Sequence, residues 1–304
     1  MLKLFILTYG GILMIKEIQG KVLLSKNKLP SSWFGCRYLF NIYRGCEHKC
    51  IYCDSRSLCY RIENFDDLNI KVNAPSLLEK ELKSRRKKGT IGTGSMSDPY
   101  TLSEKKYMLT RKCLEIISNY NYPVHITTKS NLILRDVDIL SEINKIYASV
   151  AMTITTSDDA LSKIIEPYAP SSSERFKALG VLSSLGICTS ITLMPVLPFL
   201  EDNEKNILEI VSKADYYGVR HIVPFLGMTM RDRQKAYFYK KLDENFPGIR
   251  DKYEKKFNNR YKCYDNNIRK LGNMLLEASN KYNISLKMPS YDDKLANVQL
   301  SFLK

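Results

Sequence analysis

Three cysteines, Cys46, Cys50 and Cys53, stand at C-x3-C-x2-C spacing in the run Gly45-Cys46-Glu47-His48-Lys49-Cys50-Ile51-Tyr52-Cys53. Thiolates are ligands for zinc and for iron–sulfur clusters, and three on one short loop can wrap a single metal centre. They leave a four-ligand set one short, so one coordination position stays open for chemistry. A structural zinc site would need a fourth ligand, for which His48 and Cys59 are the nearby choices. Such sites usually come as paired C-x2-C knuckles, and here only Cys50 and Cys53 are so spaced.

The loop follows an apolar, strand-like run, Tyr38–Tyr43, and is followed by a polar, irregular stretch, Asp54 to Asn73. Strand-like and helix-like segments then alternate. Helices are expected over Ala74–Lys88, where Pro75 suits the first turn and Leu77, Leu78 and Leu82 form an apolar stripe, and over Glu104–Tyr120 with Ser103 as N-cap. Shorter or later helices are expected over Asp136–Ile143, Ser172–Leu185 and Asn203–Ala214. Strands are expected over Tyr38–Tyr43, Thr90–Thr93, Val124–Thr128, Tyr147–Thr155, Ile187–Pro195 and Val219–Phe225. This alternation predicts an α/β protein with a parallel sheet and helices packed outside it.

Chemistry-bearing residues gather at the carboxyl end of each strand: the cysteine loop, Gly94–Tyr100, Lys129-Ser130, Thr156–Asp158, Met194–Pro198 and Leu226–Met228. Barrel-type α/β folds build their active sites there. Such loops are polar in any α/β protein, so the cysteines are what set this end apart. His125 and His221, inside strands and flanked by apolar residues, read as structural, and Cys113 and Cys188 as core.

The composition is 44% hydrophobic and 26% charged over 304 residues, that of a soluble globular chain. The five cysteines outside the loop are scattered singles, which fits a reducing, cytoplasmic setting rather than a disulfide framework. Two apolar runs around Tyr9-Gly10-Gly11 are too short and broken for a membrane span, which takes about 20 apolar residues. No small-residue cleavage site follows them. They read as a strand pair turning at Gly10-Gly11, or as an extension upstream of a start at Met14. Residues 1–35 are taken as an N-terminal extension, 36–226 as the α/β unit, and 227–304 as a helical region packed on it. This last part carries 17 Lys and Arg against 9 Asp and Glu, with many aromatics between Met228 and Tyr264, helix-like segments to Lys281 and then a short strand-like run, Ile284–Met288. The net charge of +15 suits nucleic acid, anionic membranes or acidic substrates without choosing among them.

The spacing C-x3-C-x2-C with Tyr52 just before the last cysteine resembles the signature of the radical S-adenosylmethionine (SAM) enzymes. From about Arg37 to Tyr264 the chain is similar to their spore photoproduct lyase-like group, also called DNA repair photolyases. The matching stretches are Tyr43–Asp54, Ser97-Asp98-Pro99-Tyr100, Thr127-Thr128-Lys129-Ser130, Glu166-Pro167 with Arg175, and Met230-Arg231-Asp232-Arg233-Gln234. The resemblance implies a partial (β/α)6 TIM-type barrel with a C-terminal helical region. It implies a [4Fe-4S] cluster on Cys46, Cys50 and Cys53, with SAM on the open iron. It also implies an electron donor of flavodoxin or ferredoxin type. Lys129 would contact the cofactor carboxylate, Thr153 the ribose, and Gly94 and Ser95 the methionine amino group. Tyr52, Asp98 and Arg175 are further cofactor-binding candidates; ion pairing between loops is the other reading of Asp98, Glu166 and Arg175.

One departure matters. The lyase carries a hydrogen-returning cysteine on the loop after the second strand, where this chain has Ser95. A hydroxyl is a far poorer hydrogen-atom donor than a thiol, so Cys263 or Cys59 would have to bring a catalytic thiol. The expected activity is radical hydrogen abstraction, with a DNA lesion, RNA, a peptide or a small metabolite as substrate. The alternative class is a non-catalytic, zinc-bearing nucleic-acid-binding protein. Of two basic stretches, 83–88 ends a helix on the side opposite the site and reads as a solvated face. The stretch 231–264 could line the mouth, where its Lys and Arg would suit phosphates and its Tyr and Phe would suit base stacking if the substrate is nucleic acid.

Overall fold

The structure, a computed structural model, describes residues 3–8, 11–28, 34–287 and 289–291. The two N-terminal apolar runs form β1 (Lys3–Thr8) and β2 (Gly11–Ile18), an antiparallel pair with Thr8 opposite Gly11. The turn expected at Gly10-Gly11 falls partly outside the described residues. There follow β3 (Ser25–Lys26), β4 (Tyr38–Phe40), β5 (Tyr43–Arg44), β6 (Leu68–Lys71), α1 (Ala74–Lys83), β7 (Ile91–Thr93), α2 (Glu104–Tyr107) and α3 (Leu109–Asn119). Next come β8 (Val124–Thr128), α4 (Val137–Asn144), β9 (Ala148–Thr153), α5 (Asp159–Ile165), α6 (Ser172–Ser184), β10 (Cys188–Leu193), α7 (Glu204–Tyr216) and β11 (His221–Pro224). The chain continues with β12 (Met228–Thr229), α8 (Asp232–Asn245), α9 (Ile249–Phe257), β13 (Lys262–Cys263) and α10 (Ile268–Lys281).

The strands β4, β7, β8, β9, β10 and β11 lie side by side in chain order, every pair parallel. This is the six-stranded α/β partial barrel, with helices outside. The middle strands are buried on both faces, with Val124, Ile126, Val150, Met152, Ile191 and Leu193 on one and His125, Ser149, Ala151, Ser190 and Thr192 on the other, as a covered parallel sheet requires. Cys113 on α3 is in the core, as expected, while Cys188 is half-buried. His125 is fully buried, stacks on Phe34, and its ring nitrogens meet Ser149 Oγ at 2.8 Å and Thr127 Oγ1 at 3.1 Å.

Both edges of this sheet are covered. On one, β3 adds an antiparallel strand, and the Leu23 and Leu24 N–H groups donate to Glu81 at 2.7 and 3.0 Å. On the other, Ser285 bridges β11: Ser285 N–H donates to Arg220 O and Ile222 N–H to Ser285 O, both 2.9 Å. The strand-like run Ile284–Met288 is thus a single bridge, and Met288 lies outside the described residues.

Three local expectations need correction. The helix expected over Glu104–Tyr120 is broken at Met108, which takes φ +52° and separates α2 from α3. Ser103 stands at the N-cap position of α2 as expected, but its side chain does not cap it; the hydroxyl donates to Glu47 Oε1 at 3.0 Å. The stretch 54–73 is not all irregular: Leu68 and Ile70 point inward from β6, which pairs with β2 and β5 in a second, four-stranded sheet. The C-terminal aromatics mostly build a second core. Phe238, Tyr253 and Phe257 are buried and cluster with Cys50, Ile51 and Tyr52, so α8 and α9 pack directly on the cysteine loop.

Candidate active site

The cysteine loop begins at Gly45, held at φ +91°, where a Cβ would stand 2.1 Å from Asp67 O. Only glycine lets the loop leave β5 this close to the neighbouring backbone. Two buried side chains then tie it to the loop after β7. Glu47 accepts the Thr101 hydroxyl at 3.0 Å and Ser103 N–H at 2.7 Å. His48 is 1% exposed, and its Nδ1 lies 3.3 Å from Asp98 Oδ2. Asp98 also accepts the Thr128 hydroxyl (2.6 Å), Lys129 N–H (2.7 Å) and Tyr100 N–H (2.9 Å). One carboxylate thereby fixes three successive strand-end loops. Burial alone would raise its pKa, but His48 and these donors hold it down at about 2. The reciprocal effect outweighs desolvation at His48 and lifts it to about 10.

These loops enclose a cavity of about 420 Å³ at the carboxyl ends of the parallel strands. Cys46, Cys50, Cys53, Tyr52, Gly94, Ser95, Asp98, Lys129 and Thr153 all line it. Gly94 holds φ +94°, and a Cβ there would stand 1.9 Å from Thr127 O, so this wall is bare backbone by steric necessity. Lys129 Nζ stands 5.7 Å from the Tyr52 ring centroid. Burial disfavours its charge, yet Cys50 and Glu166 restore it and raise its pKa. Burial raises Cys50 and Cys53, and the neighbouring thiols add to the rise. Cys46 moves the other way: burial pushes it up, but His48 beside it brings it below the ordinary thiol value. Thr153 Oγ1 meets Thr192 Oγ1 at 2.8 Å on the far wall.

Three candidates are not on the wall. Arg175 is fully buried one layer behind it. Its Nη1 donates to Thr153 O (2.7 Å), Nε to Pro170 O (2.8 Å), and Nη2 to Ser162 Oγ (3.3 Å) and to Glu166. Glu166 in turn accepts the Tyr52 hydroxyl. Arg175 therefore holds lining residues and does not itself face the cavity, which corrects the cofactor-contact expectation. The thiol expectation is corrected too. Cys263 is buried in the aromatic core, because β13 pairs with β12 there, and its thiol donates to Arg260 O at 3.5 Å. Cys59 is exposed, with Ser57 Oγ 3.4 Å from its sulfur. Their neighbours Tyr60 and Tyr261 line the cavity in their place.

Sequence reading missed the partner of Asp54. This residue lines the mouth and accepts from Arg231 Nη2 at 2.6 Å and the Tyr60 hydroxyl at 2.8 Å. Arg231 sits 5.9 Å from the Tyr60 ring and 5.1 Å from the Tyr261 ring. The motif that contains Arg231 was visible; its partner across 177 residues was not.

The residues present fit an iron–sulfur cofactor. Three thiols and a lysine share one cavity, and Ser97 Oγ is buried there without a hydrogen-bond partner among the described residues. Buried polar atoms left so are uncommon and call for a group to meet them. Among the described residues, no three His, Cys, Asp or Glu side chains converge where one metal ion could sit. Three thiols that leave a fourth position open are a donor set suited to an iron–sulfur cluster.

A partial α/β barrel with an open, thiol-lined cavity at its strand ends defines a class of cofactor-dependent enzyme folds. The chain belongs to the radical SAM superfamily, whose description matches residues 40–235. Membership implies an iron–sulfur cluster and SAM. An uncharacterised protein of Methanocaldococcus jannaschii is 33% identical over 236 residues, 77% of this chain and 84% of that one. An uncharacterised protein of Mycobacterium tuberculosis is 26% identical over 236 residues, covering 75% and 69%. A spore photoproduct lyase with bound AdoMet and dinucleoside spore photoproduct superposes with a TM-score of 0.65 at 14% identity, over 88% of this chain and 78% of that one. This last likeness is one of fold.

Proposed function

We propose that this chain is a radical SAM enzyme that abstracts a hydrogen atom from a nucleobase-bearing substrate, with a DNA lesion as the first candidate. The observation that carries the reading is the meeting of Cys46, Cys50, Cys53 and Lys129 around one cavity at the strand ends. Cys46, Cys50 and Cys53 would hold a [4Fe-4S] cluster. When bound, the cluster supplies the electron that splits SAM into methionine and the 5′-deoxyadenosyl radical that attacks the substrate.

The chain's own residues bind, orient and exclude water. Lys129, charged and half-buried, pairs with the methionine carboxylate. The bare backbone at Gly94-Ser95 offers carbonyl oxygens to the amino group. Thr153 and Thr192 present hydroxyls for the ribose, and Met194, Phe225 and Met228 complete an apolar wall that keeps water out. At the mouth, Tyr60 and Tyr261 flank Arg231 with flat faces on which bases can stack. With Ser95 on the wall and neither Cys59 nor Cys263 among its lining residues, a thiol beyond the three cluster cysteines is absent from this cavity among the described residues.

Anaerobic purification tests the reading. The expected product is a brown protein with about four irons per chain that forms 5′-deoxyadenosine from SAM when reduced. C50A should lose both colour and cleavage. A colourless protein carrying zinc would refute it. Deuterium moving from labelled dinucleotides into 5′-deoxyadenosine would establish the substrate class; none from any nucleic acid would remove it.

A further inference from the structure

The side of the cysteine loop turned away from the cavity forms the wall of a second groove, of about 530 Å³. Lys49 and Ile51, the two neighbours of Cys50, line it, facing Lys163 and Ile164 of α5 and Lys240 and Lys241 of α8. Lys49 lines both spaces, so only the loop separates them. That partition is rigid: Ile51 N–H donates to Ile165 O at 2.9 Å and Tyr168 N–H to His48 O at 3.3 Å.

The groove is positive. Its two acids are already occupied, Asp66 by Arg56 and Glu244 by Lys241. Among the described residues, no carboxylate lies in ion-pair range of Lys49, Lys163 or Lys240. Ile164 adds an apolar contact point, 39% exposed.

Cofactor and substrate fill the cavity during turnover, so an electron has to arrive from another side. Electron tunnelling falls steeply with distance, and this groove lies just across the loop from the cysteines. We propose that this groove docks a small acidic redox protein, of flavodoxin or ferredoxin type, that passes one electron through the loop around Cys50. The donor centre is oxidised by one electron and the cluster is reduced by one; no covalent bond in the chain is made or broken. Interfaces for such transfers are small, and their partners are steered by complementary charge. The inference rests on the cluster assignment above.

The test uses the full-length, cluster-loaded enzyme and flavodoxin hydroquinone in stopped flow. K163E/K240E reverses two exposed charges remote from the cavity. It should slow cluster reduction by flavodoxin at low ionic strength by roughly tenfold or more and flatten the salt dependence. Reduction by a photoreduced viologen, and 5′-deoxyadenosine formation driven by it, should stay at the unmodified rate. A control of equal charge change on outer helices, K112E/K177E, should leave the flavodoxin rate within about twofold, a bound set by general charge steering. Unchanged flavodoxin kinetics in K163E/K240E, or equal slowing in both variants, would overturn the docking site. Protein without iron, or without SAM cleavage under viologen, would instead overturn the cluster assignment.

Discussion

Arg175 and Glu166 form an ion pair that is 0% and 1% exposed, with Tyr52 as its third member. Burial would raise the Glu166 carboxyl, but Arg175 and Lys129 hold it ionised. Breaking a buried pair from one side leaves an uncompensated charge, so R175M should cost about 3–5 kcal/mol in urea unfolding. Removing both charges in R175M/E166L should recover the part due to the uncompensated charge, while the Thr153 and Pro170 carbonyls and the Tyr52 hydroxyl stay without these partners. A single variant with unchanged stability would show that the pair is not held as described. Chemistry made the cysteines legible in the sequence, because their spacing is itself the ligand arrangement. Arg175 was legible only as a polar residue near the site. Whether it faces the cavity or stands behind it depends on where α6 packs, which no local pattern states.

The start of α8 acts as a clamp on the segment after the cysteine loop. Four consecutive residues contribute. Arg231 binds Asp54; Asp232 accepts the Ser57 hydroxyl at 2.8 Å and Leu58 N–H at 3.1 Å. Arg233 donates to Glu63 O at 2.6 Å and Ile62 O at 2.9 Å, and Gln234 donates to Tyr52 O at 3.1 Å. Gln234 is fully buried, so Q234A should strand the Tyr52 carbonyl and cost about 1–3 kcal/mol. The melting temperature should fall, and bound iron should be lost faster to a chelator. R233A, at an exposed position, should stay within about 1 kcal/mol of the parent. If Q234A were neutral in both measurements, the clamp would have no role in holding the loop. At this scale the six parallel strands and most helices could be read from periodicity. The strand β6 could not, because four residues with two apolar side chains carry too little pattern. Nor could the break at Met108, which nothing in the helical periodicity announces.

For the whole molecule, two buried groups on different strand-end layers oppose each other in pH. Burial lowers His125 from its ordinary 6.5 to about 3. Burial raises Glu201 from 4.5 to about 8, although it accepts the Thr155 hydroxyl at 2.6 Å and Leu197 N–H at 2.8 Å. The unfolded chain binds the His125 proton below pH 6.5 and the folded chain does not, so stability falls with pH from 6.5 toward 3 on its account. The folded chain holds the Glu201 proton above 4.5 and the unfolded chain does not, so stability falls as pH rises from 4.5 toward 8. Between 4.5 and 6.5 the two slopes cancel, and beyond either end one acts alone. E201Q keeps a neutral group of the same shape and removes only the alkaline slope. The melting-temperature difference between E201Q and the parent, followed on the cluster-loaded protein, should therefore grow in favour of E201Q from pH 4.5 to 8. The slope is bounded by about 1.4 kcal/mol per pH unit for one proton. The two curves should run parallel above pH 8 and again below 4.5. Curves parallel from 4.5 to 8 would mean that Glu201 is ionised in the fold. The anchor of the loop between β10 and α7 would then be a buried carboxylate and not a buried acid.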